Sequence, residues 1–353
     1  MRTDRLAGRL EALEVDAVVV TRLPNTRYLT GFTGSNGQAL IGSDGGVFFT
    51  DGRYTEQSRR EVSDLERVTY SQNFAEVLRD ACAARGVRRL GFEDGAMTVR
   101  TLRTLEEALE GVELAPVGDE VDRLRWVKDE EELALIQAAQ DATDQAFEDI
   151  LEKLAVGQSE RQVAQELEHA MRRAGADGLS FDTIVAFGEN SAEPHHEPNH
   201  RSLEEGDIVK MDFGALWGGY HSDFTRTVAF GEITAELKRI YEVVREAQAA
   251  GVDAVRAGAV GGDVDAASRR VVEDAGYGER FSHGLGHGVG LEIHEGPGLR
   301  RAGTDELPAG AVVTVEPGVY VPSLGGVRIE DMVEVRADGC RVMAASTKDL
   351  IEL

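Results

Sequence analysis

The stretch GDIVKMDFGALWGGYHSDFTR, residues 206–226, decides how the second half of this chain folds. Ile208, Lys210 and Asp212 alternate with Val209, Met211 and Phe213. A strict period of two is the pattern of a half-buried strand. Trp217-Gly218-Gly219 offers a turn, and a second strand is expected through Asp223, Thr225 and Thr227. A hairpin symmetric about Trp217 and Gly218 sets Asp212 directly opposite Asp223, and directly paired side chains share a face. Two carboxylates held that close repel unless a cation lies between them, and a metal ion is the obvious candidate. The alternative is two acids on a solvated hairpin face.

The pattern returns about a hundred residues later. Gly206-Asp-Ile-Val-Lys-Met-Asp212-Phe-Gly214 aligns position for position with Gly310-Ala-Val-Val-Thr-Val-Glu316-Pro-Gly318. Glu330 follows Glu316 across a turn containing Pro322, Gly325 and Gly326, much as Asp223 follows Asp212. This reads as an internal duplication, two hairpins facing one site.

The rest of the chain is compatible with that centre. Its 353 residues suit two domains, each able to bury a core. A net charge of −26 argues against nucleic acid and anionic membranes as partners, and leaves a cation electrostatically welcome. Met1-Arg-Thr-Asp-Arg-Leu6 opens in charged amphipathic sequence rather than a leader, and apolar runs such as Val18–Val20 are too short to span a bilayer, so a cytoplasmic protein is expected. Cys82 and Cys340 provide neither a disulfide framework nor a thiolate metal site.

Residues 1–125 alternate helix-like and strand-like segments, which predicts a small α/β domain. An opening helix carries Leu6, Leu10 and Leu13. Strands are expected at 16–20, 39–41, 47–50, 68–70, 89–92 and 112–116, and helices at 54–62, 74–85 and 99–109. Asn25 to Ser35 reads as a polar, glycine-punctuated loop, either a binding loop or a plain connection. Residues 126–353 are expected to form the catalytic domain. A long helical pattern over 121–154 breaks near Lys128, and Ser159-Glu-Arg-Gln162 fits a capping box. A strand follows at 181–187, and helices at 236–256 and 263–275 separate the two hairpins.

The segment FSHGLGHGVGLEIHE, residues 281–295, places three of the chain's eight histidines within twelve positions. Histidine is the commonest neutral metal ligand, and flanking glycines let backbone approach a ligand closely. With two pairs of acids nearby, His287 reads as a ligand rather than a packed side chain. The candidate set is then Asp212, Asp223, His287, Glu316 and Glu330. Four carboxylates and one imidazole exceed what one tetrahedral zinc uses and suit two ions sharing bridging carboxylates. Oxygen-rich ligation favours Mn²⁺, with Co²⁺ or Zn²⁺ as other occupants. Such a pair holds a hydroxide and polarises a carbonyl, which is hydrolase chemistry. Arg328, two residues before Glu330, points to the same face of a strand, as a substrate contact or as a salt bridge to a ligating acid. His195 lies in a Pro- and Asn-rich loop, where a histidine is usually solvent-facing.

The ordered series MDFGA, HSDFTRT, HGLGHGVGLEIHE, VEPGVY and GVRIED resembles the metallopeptidases of the pita-bread fold, and more narrowly their proline-specific members, prolidase (Xaa-Pro dipeptidase) and aminopeptidase P. NTRYLTGFTGS and TDGRYTEQ are similar to the small N-terminal domain of that group. The resemblance implies an α/β (α+β) fold: a creatinase-like N-terminal domain, then a pita-bread domain with pseudo-two-fold duplication. It implies that Asp212 chelates one ion, that His287 and Glu316 bind the other, and that Asp223 and Glu330 bridge them. It also implies that Glu316 handles the proton of the hydroxide, that His195 stabilises the tetrahedral intermediate, and that His294 lies near the substrate. His283 and Arg328 would line the proline-side pocket. The expected enzyme is a homodimeric Xaa-Pro dipeptidase acting on dipeptides, with an aminopeptidase P acting on longer peptides as the alternative. A creatinase-like hydrolase or a metal-free scaffold would lack this ligand set.

Overall fold

The structure, a computed structural model, describes residues 1–71 and 73–353. Its contacts divide the chain into two compact units, Met1–Arg125 and Trp126–Leu353. In the first, six strands form one sheet in the order Glu66–Tyr70, Gly45–Asp51, Gly37–Gly42, Ala17–Val20, Arg89–Phe92 and Glu113–Pro116. The antiparallel strands 17–20, 37–42 and 45–51 form its centre, and parallel strands extend it on both sides. Helices Phe74–Ala84 and Val99–Ala108 pack apolar faces, including Leu78 and Leu105, against Val19, Leu40, Phe49 and Leu90.

Two expectations for this unit need correction. The opening helix ends at Ala7, and Leu10 and Leu13 lie in turns beyond it. Of the segment read as a loop, Asn25 to Ser35, the first six residues belong instead to a helix, Leu23–Thr30, and residues 31–35 are irregular as expected. Proline is tolerated in a first helical turn, and Pro24 sits there. Gly31, at φ 76°, ends the helix in the left-handed conformation, and its N–H donates to the Arg27 carbonyl. Both stop and start signals were present. What overrode the polar appearance is burial of Tyr28 and Leu29.

The second unit is built twice over. Helices Glu130–Leu151 and Glu160–Arg173 share a core with the strand pair Asp207–Phe213 and Phe224–Phe230 through Ala139, Phe147, Leu167, Val209, Phe213 and Val228. Helices Ala235–Ala254 and Gly261–Asp274 likewise pack on Val312–Val315 and Asp331–Arg336 through Ile240, Val264, Val313 and Val333. Capping boxes at Asp129 and Ser159 start the first helix pair, and Lys128 lies in the break before Glu130 as the periodicity requires. The strand expected over 181–187 is shorter, Ile184–Phe187.

The first hairpin differs from expectation in register. Asp212 pairs with Thr225 and Phe213 with Phe224, and the same count continues to Trp217 opposite Tyr220 at the tip. The hairpin is thus symmetric about Gly218-Gly219, both at positive φ (55° and 81°). That conformation suits the right-handed twist of a two-residue hairpin, and glycine adopts it without a Cβ clash. Asp212 and Asp223 are therefore diagonal neighbours, not directly opposed. The slip is two residues, so parity survives and both acids stay on one face. The strand is also buried on both faces, not one: all seven residues of Asp207–Phe213 are enclosed, including Lys210.

Candidate active site and metal centre

Each hairpin breaks its ladder where its acids stand. Strand Asp207–Phe213 ends beside Asp212, and a separate three-residue strand begins at Ala215. Strand Val312–Val315 ends before Glu316, and a new two-stranded ladder pairs Gly318 with Arg328. Counting inward from the Val315–Asp331 and Gly318–Arg328 pairs sets Glu316 opposite Glu330. Arg226 joins the hairpins: its guanidinium donates to the Glu330 carbonyl oxygen and ion-pairs with buried Asp331 at 2.7 Å. The Glu330 N–H donates to the Thr225 carbonyl at 3.1 Å.

The acids converge. One carboxylate oxygen from each of Asp212, Asp223 and Glu330 lies within 4.8 Å of the others, all three residues buried. His287 Nε2 is 3.4 Å from both Asp223 and Glu316. Its Nδ1 lies 3.1 Å from the Gly288 carbonyl, which can only accept, so Nδ1 carries the proton and the Nε2 lone pair faces the space the acids surround. Gly286 makes this approach possible: a Cβ there would sit 2.1 Å from the Thr314 carbonyl oxygen. Without one, the His287 N–H reaches Thr314 Oγ1, which in turn donates to Glu316.

The electrostatics are those of a site built for cations. Burial, then repulsion from Asp212 and Glu316, pushes the Asp223 carboxyl well up. Glu330 is raised by burial and by Asp223, Glu316 and Asp212 in turn, and burial takes Glu316 to about 7. Burial and neighbouring His294 hold His287 down to about 4, so it is neutral at physiological pH. Arg328 is the one cation in contact with these acids among the described residues. It is bonded to Asp212 and to Thr225 Oγ1, whose hydroxyl donates to Glu330 at 2.7 Å. Asp212 Oδ1 and Glu330 Oε1 remain buried without a donor. Buried carboxylate oxygens left without a partner are expensive, and these donor types fit divalent ions.

A cavity of about 560 Å³ opens over this cluster. His195, His283, His294 and Arg328 all line it with the five candidate ligands, so the structure brings together every site residue expected from sequence. His195 and His294 are exposed to it, and the His294 ring stands edge-on to His287 with centroids 4.3 Å apart. His196, by contrast, is buried between Glu160 and Glu193. His283 donates from Nδ1 to the Gly284 carbonyl, so Nε2 accepts from the Tyr320 hydroxyl, which accepts from Arg328. Burial, with Arg328 next, holds His283 down to about 4. Thr225, Thr314 and Tyr320 were not singled out from sequence. The signal for Thr225 was parity: it stands opposite Asp212 in the quoted stretch. Lys210 was placed on that face too, but without a contact. Its ammonium is enclosed by three loop carbonyls, while burial and then Arg328 act to lower its pKa.

Residues 134–337 match Metallopeptidase family M24, and residues 2–127 match the Creatinase/Prolidase N-terminal domain. The structure of an Xaa-Pro dipeptidase from Bacillus anthracis is 40% identical, covers 100% of this chain and 99% of its own, and superposes with a TM-score of 0.97. The crystal structure of X-Pro aminopeptidase from Thermotoga maritima MSB8 is 34% identical with full coverage of both chains and a TM-score of 0.91. The Xaa-Pro dipeptidase of Pyrococcus horikoshii is 34% identical over 339 residues, 96% of this chain and 95% of that protein. Sequence and fold thus agree along the chain: the protein belongs to metallopeptidase family M24, and it is a metal-dependent peptide-bond hydrolase.

Proposed function

We propose that the enzyme hydrolyses Xaa-Pro bonds as a dipeptidase, using two divalent ions, Mn²⁺ by preference. Asp212 would hold one ion, His287 and Glu316 the other, and Asp223 and Glu330 would lie between them. The observation that carries this reading is the cluster of buried Asp212, Asp223 and Glu330, with His287 Nε2 3.4 Å from Asp223 and from half-buried Glu316, and with Asp212 Oδ1 and Glu330 Oε1 lacking any donor among the described residues. When bound, the ions supply Lewis acidity, acidifying the attacking water and polarising the scissile carbonyl.

The chain's own residues do the rest. Glu316, raised by burial, takes and returns the proton of the nucleophile. His195, free of hydrogen-bond partners among the described residues and facing the cavity, donates to the oxygen that becomes negative as the carbonyl turns tetrahedral. His294 stands beside it as a second contact to substrate. His283, held by Tyr320, orients the proline side with Arg328. An Xaa-Pro bond has no N–H, and a fixed ring redirects the chain. A shaped cavity with apolar patches from Phe181, Ile184 and Ile293 grips such a substrate without needing that donor. A homodimer is part of the same proposal.

A dipeptidase must read a free carboxylate close to the scissile bond. Arg300 lines the cavity and has no acidic partner among the described residues, which supports that role. The second reading, aminopeptidase P, draws on the groove that continues past Arg300 along Phe281, Ser282 and Arg301, where a longer peptide could leave. Assaying Xaa-Pro beside Xaa-Pro-Yaa-Zaa with added Mn²⁺ separates the two. The expected result is preference for the dipeptide, with Arg300→Ala raising its KM by about tenfold, as loss of a charge-assisted contact does. Equal or better cleavage of the longer peptide would instead make the enzyme an aminopeptidase.

A further inference from the structure

Lys210 has no counterpart in the chemistry described so far, yet it is fully enclosed two residues before Asp212. A lysine is rarely buried without an acid to pair with, and Lys210 has none within ion-pair distance among the described residues. Its Nζ donates instead to three backbone carbonyls, Ser191 at 3.0 Å, Glu193 at 2.5 Å and Pro194 at 3.4 Å. An ammonium has three N–H donors, and three carbonyls match them. The Tyr320 ring lies beside the same ammonium, its centroid 5.2 Å from Nζ.

Those carbonyls belong to the segment that delivers His195. The Pro194 carbonyl is part of the peptide plane leading into His195, and it is held from two directions, by Lys210 and by Arg328 Nη1 at 3.2 Å. Upstream, the Ser191 hydroxyl accepts from the Gly326 N–H, and a Cβ on Gly326 would sit 2.3 Å from the Ser191 carbonyl oxygen. The segment is thus pinned to both hairpins, while the His195 side chain itself is free of hydrogen-bond partners among the described residues. The aim of that imidazole is set through its backbone.

We propose that Lys210 is a positioning residue that orients His195 over the scissile carbonyl by fixing the 191–194 backbone. The inference rests on the role given to His195 under the proposed function. Misplacing a catalytic group by about 1 Å can cost on the order of 100-fold in rate. Lys210→Met, close in volume, and Lys210→Gln, which keeps a donor, should therefore lower kcat on an Xaa-Pro substrate by about 10- to 100-fold, with KM within about threefold and the metal content of the holoenzyme unchanged. The deciding measurement is the pair of double variants with His195→Ala. If Lys210 acts through His195, either substitution in that background should lower kcat by less than about threefold further. The full single-variant loss recurring there, or a loss that follows metal content, would overturn the positioning role alone. His195→Ala retaining wild-type kcat would instead remove the role of His195, and the positioning role with it.

Discussion

The two hairpins that face the cavity share a scaffold and differ in how they close. The first turns on Gly218-Gly219 and sets Thr225 opposite Asp212, with Asp223 on the diagonal. The second pairs Val321 with Gly325, leaving Pro322, Ser323 and Leu324 as a three-residue loop, and sets Glu330 opposite Glu316. Thr225 and Glu330 are thus equivalent positions, and Arg328 stands where the first hairpin has Asp223. The difference teaches how a duplicated unit builds an asymmetric site. One copy offers two acids and a hydroxyl; the other offers two acids and a guanidinium that crosses to Asp212. The hydroxyl of Thr225 then joins the copies, accepting from Arg328 and donating to Glu330.

The largest expected effect tests whether both hairpins are needed. Asp223→Asn in the first and Glu330→Gln in the second should each lower kcat/KM for peptide hydrolysis by about 10³-fold or more, as loss of a group acting in a unit does. Circular dichroism should show an intact fold. Activity surviving in one variant and lost in the other would mean that a single hairpin carries the chemistry.

Metal removal comes next. In the metal-free protein, burial raises Asp223, Glu330 and Glu316 above their unfolded values, the last to about 7. A carboxyl with a raised folded pKa binds its proton more tightly when folded. Its stabilising contribution is therefore present below the unfolded pKa of about 4.3 and is lost as pH rises through the folded value. Chelator-treated enzyme should melt at a lower temperature at about pH 8 than at about pH 5, and added Mn²⁺ should reverse the loss at the higher pH. A chelated protein equally stable at both would show that the two hairpins do not strain each other.

The smallest effect concerns closure. Gly219→Ala should destabilise by about 1–2 kcal/mol, because an L side chain is strained at φ 81°. Ser323→Gly, at φ 64° in the other loop, should change stability by less than about 1 kcal/mol, since relief of that strain is offset by glycine's chain entropy. Urea midpoints against wild type read both. Equal sensitivity of the two loops would mean that they close their hairpins under the same backbone constraint.

Much of this was legible without coordinates. Local chemistry marks the capping box at Ser159 and the period-two strands, because each depends on residues a few positions apart. The helix Leu23–Thr30 was not legible, although Pro24 and Gly31 announce its ends, because burial of Tyr28 and Leu29 outweighs a polar composition. Hairpin register was off by two because both Trp217-Gly218 and Gly218-Gly219 can turn a chain, and positive φ at both glycines selects the latter.

By itself the sequence determined which groups were available: four acids and an imidazole at spacings that repeat, on strands whose parity keeps them on one face. Tertiary structure alone decided what surrounds them. That Arg328 reaches Asp212, that Tyr320 orients His283, and that Lys210 is sealed beneath the His195 loop each joins residues 17 to 116 positions apart. Spacing reports only neighbours along a strand or helix, whereas these contacts depend on how the two hairpins and the loop carrying His195 pack together within the second unit.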